Sequence, residues 1–80
     1  MDFKINTTGI IKNGQYKDWY ILIEPFSENS KAFLIFYSNQ PLDGSYNDEK
    51  IVYDDFADDA ETVGYQIEKW DIDWDWETSG

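Results

Sequence analysis

The sequence predicts an α+β fold: a mainly antiparallel sheet of four to five strands with one helix, at about residues 54–68, packed on one face, in the order β-β-β-(β)-α-β. Three observations lead there. Short apolar runs separated by turn formers fill the first half of the chain. The apolar spacing then changes to a helical one, and the chain closes on WDIDWDWE, where large apolar and acidic residues strictly alternate.

Taken in order, Phe3 and Ile5 alternate with polar neighbours, and Ile10-Ile11-Lys12 leads into Asn13-Gly14. An Asn-Gly pair between apolar segments predicts a hairpin, because both central residues of a type I′ turn require positive φ. The partner strand is expected over residues 16–24, and Pro25, which has no N–H for a ladder, ends it. A polar stretch, Ser27-Glu28-Asn29-Ser30, precedes a third strand over residues 32–37. Residues 19–23 and 32–37 are apolar at consecutive positions, which implies that both faces of these strands are covered. A helix can cover one; a partner, a second copy or the following loop of residues 39–47 is left for the other.

Residues 50–53 read as a short fourth strand. Phe56, Ala60, Val63, Ile67 and Trp70 then fall on the stripe of an amphipathic helix. Asp54 or Asp55 would serve as its N-cap. Asp58, Asp59 and Glu61 crowd the first turns, where the helix dipole favours negative charge. Gly64 costs about 1 kcal/mol relative to Ala inside a helix, which leaves a stop near Val63 as an alternative to the longer helix. Over residues 70–77, alternation places Trp70, Ile72, Trp74 and Trp76 on one side of a strand. Asp71, Asp73, Asp75 and Glu77 fall on the other, spaced by about 6.7 Å, twice the rise per residue.

Eighty residues with fifteen aromatics are read as one compact domain over residues 1–80, with 78–80 frayed. The charge is lopsided. Residues 48–77 hold twelve acids and two lysines, whereas residues 1–47 hold five acids and four lysines, so nearly all of the net charge of −11 lies in the C-terminal part. The chain has no Cys, which excludes disulfides and thiolate metal sites and fits a reducing cytoplasm. The stretch MDFKINTTG lacks a basic segment followed by an apolar one, so no secretory signal is expected. No apolar run approaches the roughly 20 residues of a membrane span. A cytoplasmic protein without membrane association is therefore expected.

The absent residue types narrow the function further. Without His or Arg, the chain lacks the commonest general acid/base and the usual clamp for phosphate or carboxylate groups. Enzymatic activity and a cofactor are not expected. Asp71-x-Asp73-x-Asp75 begins a calcium-loop pattern, but the required glycine does not follow and the interleaved Trp and Ile residues indicate a strand, so no metal site is expected. Direct nucleic-acid binding is disfavoured, because phosphates would be repelled. What the pattern does suit is a cationic protein partner, either a toxin or a nucleic-acid-binding protein. Such a surface would comprise Asp54, Asp55, Asp58, Asp59, Glu61, Asp71, Asp73, Asp75, Trp76 and Glu77. The plain alternative is a solvated edge whose charges block strand-to-strand aggregation. Trp19, Tyr20, Phe33, Phe36 and Trp70 are expected in the core, and Tyr46, Tyr65 and Trp76 at the surface.

One resemblance adds to this. Tyr53-Asp54-Asp55-Phe56, an acidic helix, Gly64-Tyr65-Gln66-Ile67 and the closing Trp70-Asp71-Ile72-Asp73-Trp74 together resemble the small acidic immunity proteins that bacteria encode beside polymorphic or contact-dependent toxins. The likeness covers about residues 50–76, rests on pattern rather than a diagnostic motif, and identifies no single family. It implies a bacterial cytoplasmic antitoxin that binds and blocks a toxin domain, often a nuclease. Two alternatives stand beside it: a DNA mimic directed at a DNA-binding protein or a CRISPR effector, and a structural domain that forms a homodimer through its doubly apolar strands.

Overall fold

The structure, a computed structural model, describes residues 3–42 and 48–75. Its strands are β1 (Gly9–Ile11), β2 (Tyr20–Pro25), β3 (Phe33–Ser38), β4 (Val52–Ala57) and β5 (Ile72–Asp73). Between β4 and β5 run the helix α1 (Ala60–Ile67) and one 3₁₀ turn, Glu68–Trp70. The strands form one sheet in the order β4-β3-β2-β1-β5, every neighbouring pair antiparallel. The predicted α+β class and its single helix on the sheet are therefore observed.

Strand alternation sets the core. Ile11, Ile21, Ile23, Ile35 and Ala57 point to the same face and meet Val63 and Ile67 of α1; each is at most 1% exposed. Among the described residues the buried core is mainly aliphatic, with Tyr37 its one aromatic member. Of the five aromatics expected inside, Trp19, Phe33 and Trp70 are only partly buried against this cluster. Tyr20 and Phe36 are also only partly buried, and alternation turns them to the opposite face. Isoleucine suits the pleated inner surface because its branched side chain packs well there.

Several boundaries depart from the sequence expectation. The Asn13-Gly14 turn is not a two-residue hairpin: β1 and β2 are joined by a longer loop in which Gly14 has φ 89° and Asp18 φ 73°. The N–H groups of Lys12 and Asn13 both donate to the Trp70 carbonyl at 3.0 Å, so they are already engaged by the 3₁₀ turn. Pairing continues past the strands through Ile11, whose N–H donates to the Trp19 carbonyl at 2.8 Å and whose carbonyl accepts the Asp18 N–H at 2.6 Å.

The helix begins six residues later than the expected start at residue 54. Asp54, Asp55 and Phe56 belong to β4, paired opposite Phe36, Ile35 and Leu34. Asp59 is the N-cap instead, with extended backbone (φ −158°, ψ 175°) and a carboxylate that accepts from the Thr62 N–H and hydroxyl, each at 2.8 Å. Gly64 does not stop α1, which continues to a fully buried Ile67. At the far end, the strand expected over residues 70–77 is cut short. Trp70 lies in the 3₁₀ turn, Asp71 adopts a left-handed conformation (φ 52°), and only Ile72 and Asp73 pair with β1. Residues 76 and 77 lie outside the described residues.

The cap makes a pH-dependent prediction. Two hydrogen bonds from Thr62, the backbone one foremost, hold the Asp59 carboxyl below its usual range. A group whose pKa is lowered on folding stabilises the fold above its unfolded value, about 3.9, and that stabilisation fades as pH falls through the folded pKa. Asp59→Ala should therefore lower the melting temperature at pH 7. Its deficit against the parent should shrink at about pH 3, while Asp59→Asn should retain most of the pH 7 stability. Thermal melts followed by far-ultraviolet circular dichroism check this.

Candidate functional site

The acidic residues singled out from sequence divide between the two edges of the sheet. Asp54 and Asp55 lie on edge strand β4, Asp58 and Asp59 in the turn that follows it, and Glu61 in the first turn of α1. Asp71, Asp73 and Asp75 lie on or beside the opposite edge strand, β5. Four strand spacings separate these edges, about 19 Å. The expected set is thus two surfaces on one molecule. Trp76 and Glu77 lie outside the described residues.

Their local roles differ. Alternation within β4 turns Asp54 and Asp55 to opposite faces, so they do not act as a pair. Asp55 accepts a hydrogen bond from the Tyr37 hydroxyl at 3.2 Å. Burial, assisted by that carboxylate, pushes the Tyr37 hydroxyl up to about 12, so it remains a proton donor across physiological pH. Asp59 is committed to its cap. Glu61 accepts from the Tyr65 hydroxyl one helical turn away, at 3.0 Å. On the other edge, Asp73 accepts the Asp75 N–H at 3.0 Å, and Asp75 meets Lys4 Nζ at 3.1 Å with both side chains more than half exposed. An ion pair this exposed contributes little, typically under about 1 kcal/mol.

Among the described residues, no three acidic side chains converge as a metal cluster. A groove of about 490 Å³ runs between Phe3 and one side of α1, with Glu61 and Glu68 on its wall. Both lie on exposed positions and Glu61 is engaged with Tyr65. What the two edges can do is electrostatic. Seventeen acids face six lysines, so at least eleven carboxylates lack a lysine of their own whatever the pairing.

Compared with protein-family models, curated proteins and solved structures, the chain matches none. Among the described residues, no helix is long and apolar enough to cross a membrane.

Two further features bear on the site. One is an aromatic cluster at one end of the inner face: Tyr16 lies 4.9 Å from both Trp19 and Tyr37, Trp70 closes on Tyr37 at 5.1 Å, and Tyr53 stacks on Trp19 at 5.9 Å with an interplanar angle of 3°. It ties the loop after β1, β3, β4 and the 3₁₀ turn together. A signal for it was present in Tyr53 and Tyr37, which share a face once β3 and β4 are in register. The other is the outer face of the sheet, where Leu22 pairs with Phe36 and Leu34 with Phe56. Residues 19–23 and 32–37 were expected to be covered on both sides, with the loop of residues 39–47 as one candidate cover; residues 43–47 lie outside the described residues. On the outer side Ser38 is fully buried, Tyr20, Leu22, Leu34 and Phe36 are partly buried, and Val52 and Phe56 are exposed.

Proposed function

We propose that the protein is an acidic protein-binding inhibitor, an immunity-type antitoxin that neutralises a nuclease-like toxin by covering its basic surface in the cytoplasm. The observation that carries this is the presence of carboxylates at both sheet edges in a chain whose lysines are too few to neutralise them. Self-repulsion of this size destabilises the compact state, and a basic partner relieves it. The same field steers encounter, raising association rates toward about 10⁸–10⁹ M⁻¹s⁻¹ at low salt. Catalysis forms no part of the proposal: with neither His nor Arg in the chain, the exposed carboxylates are better suited to a field than to proton transfer.

The test is co-expression with toxin nuclease domains, beginning with the product of any toxin gene that neighbours this one, followed by pull-down and a nuclease assay. Stoichiometric inhibition is expected, with affinity falling steeply as salt rises. Neutralising Asp54, Asp58, Asp71 and Asp73 to Asn should weaken binding at least tenfold at low salt, mainly through slower association. Binding that ignores both salt and these substitutions would sink the proposal.

A DNA mimic is a second reading, favoured by one observation: two acidic edges about 19 Å apart offer two rows of negative charge, as a duplex does. Competition with DNA for a DNA-binding partner separates this from a toxin whose blocked site binds no nucleic acid.

A further inference from the structure

We propose that the outer face of the sheet is the docking surface, and that its occupant is a cationic protein presenting an apolar centre ringed by basic groups. This proposal rests on the cationic-partner function above and assigns the contact to a particular face.

The inner face is settled by Ile21, Ile23, Ile35 and Ala57 meeting α1. Alternation therefore turns Ile10, Tyr20, Leu22, Leu34, Phe36, Val52 and Phe56 outward, together with Ser38, which is fully buried. The exposed part of the face lies toward β4, at Val52 and Phe56, while the others are partly buried. The register makes them contiguous: Ile10 lies opposite Tyr20, Leu22 opposite Phe36, and Leu34 opposite Phe56. Phe26 extends the strip, its ring edge-on to Phe56 at 5.5 Å. Phe26 is 55% exposed, Phe56 51% and Val52 46%. An antiparallel sheet with one open face normally carries polar residues there. A contiguous apolar patch in that place marks an interaction site.

The charges on the same face decide the occupant. Glu24 on β2, Asp54 on β4 and Asp73 on β5 share the outward parity of these residues, being paired with Leu34, Phe36 and Ile10. The five strands contain no lysine. A partner seated here meets an apolar centre with acids at both edges, the mirror of which is an apolar centre within a basic rim. A second copy fails this requirement. Because both edges are acidic, either antiparallel or parallel stacking of two outer faces lays carboxylate over carboxylate, between molecules of net charge −11.

The test is a titration of the 80-residue chain, labelled with nitrogen-15 and on its methyl groups, at low salt with two synthetic peptides of equal positive charge. One is an amphipathic Lys/Leu helix, the other a Lys/Ser peptide without an apolar side. The Lys/Leu peptide is expected to bind at least tenfold tighter and to shift the Ile10, Leu22, Leu34 and Val52 methyl signals. Phe56→Gln, on an edge strand and half exposed, should remove most of that tenfold difference and leave Lys/Ser binding unchanged. Leu34→Gln serves as a second variant, and unaltered spectral dispersion certifies the fold of each. Equal binding of both peptides, with shifts confined to the acidic residues, would overturn the docking face and leave the cationic partner standing. No binding of either would overturn both. Dimerisation in sedimentation equilibrium that shifts the same methyl signals would overturn the proposal by making a second copy the occupant.

Discussion

Gly9→Ala is expected to destabilise the fold by about 1–3 kcal/mol, and Gly9→Val by more, because there is no room for a side chain where β1 meets the last strand. A Cβ on Gly9 would lie 2.6 Å from Ile72 Cγ2 and 2.8 Å from Trp74 Cε3. Both neighbours belong to the segment that attaches β5 to β1, so the cost falls on that attachment. A chain of this size has a total stability of about 4–12 kcal/mol, of which the substitution removes a large share. Urea unfolding with an unchanged m-value measures it. Hydrogen exchange should show faster exchange at Ile72 and Asp73 than in β2 and β3. An unchanged midpoint for Gly9→Ala would mean that Trp74 moves aside without penalty.

Ile35→Ala should cost about 2–5 kcal/mol, whereas Leu34→Ala, one residue away, should cost no more than about 1 kcal/mol. Ile35 is 1% exposed and packs in the inner cluster; Leu34 lies on the outer face and is only partly buried. Truncating the first leaves a cavity under α1. Truncating the second, which is partly buried and lies outside the inner cluster, removes fewer contacts. Denaturation midpoints of the two variants check the pair. Equal costs would show that something covers the outer face of the isolated chain.

The sequence carried the sheet's centre well and its edges poorly, for reasons that particular residues make plain. The runs Tyr20-Ile21-Leu22-Ile23 and Phe33-Leu34-Ile35-Phe36-Tyr37 are apolar on both parities, and Pro25 stops β2, so β2 and β3 were legible within about four residues at each end. The segment Val52-Tyr53-Asp54-Asp55-Phe56 was ambiguous. Its acids suit a helix start, and Phe56 stands four residues before Ala60, which aliases an edge strand onto the helical stripe. The true cap was set by the reach of Asp59 to Thr62, a local hydrogen bond that competed unseen with two other Asp residues. The alternation after Trp70 was misread at its start, because the left-handed Asp71 inserts a corner that a period of two does not reveal. Among the acidic residues, Asp54, Asp55, Asp58, Asp59, Glu61, Asp71 and Asp75 are exposed and Asp73 is partly buried, while their division between opposite edges depended on β5 pairing with β1, a long-range choice that no local pattern encodes.

That pairing also governs the order of assembly. Strands β2, β3 and β4 form a meander whose neighbours are close in the chain, but β5 joins β1 across the sixty residues that separate Ile11 from Ile72. Closing so long a loop carries an entropic cost before its contacts form, which places this step late in folding. During synthesis the meander is complete while the last acidic segment is still emerging. The nascent chain therefore carries one acidic edge before it has the other, and the two-edged charge surface exists only once β5 has closed onto β1.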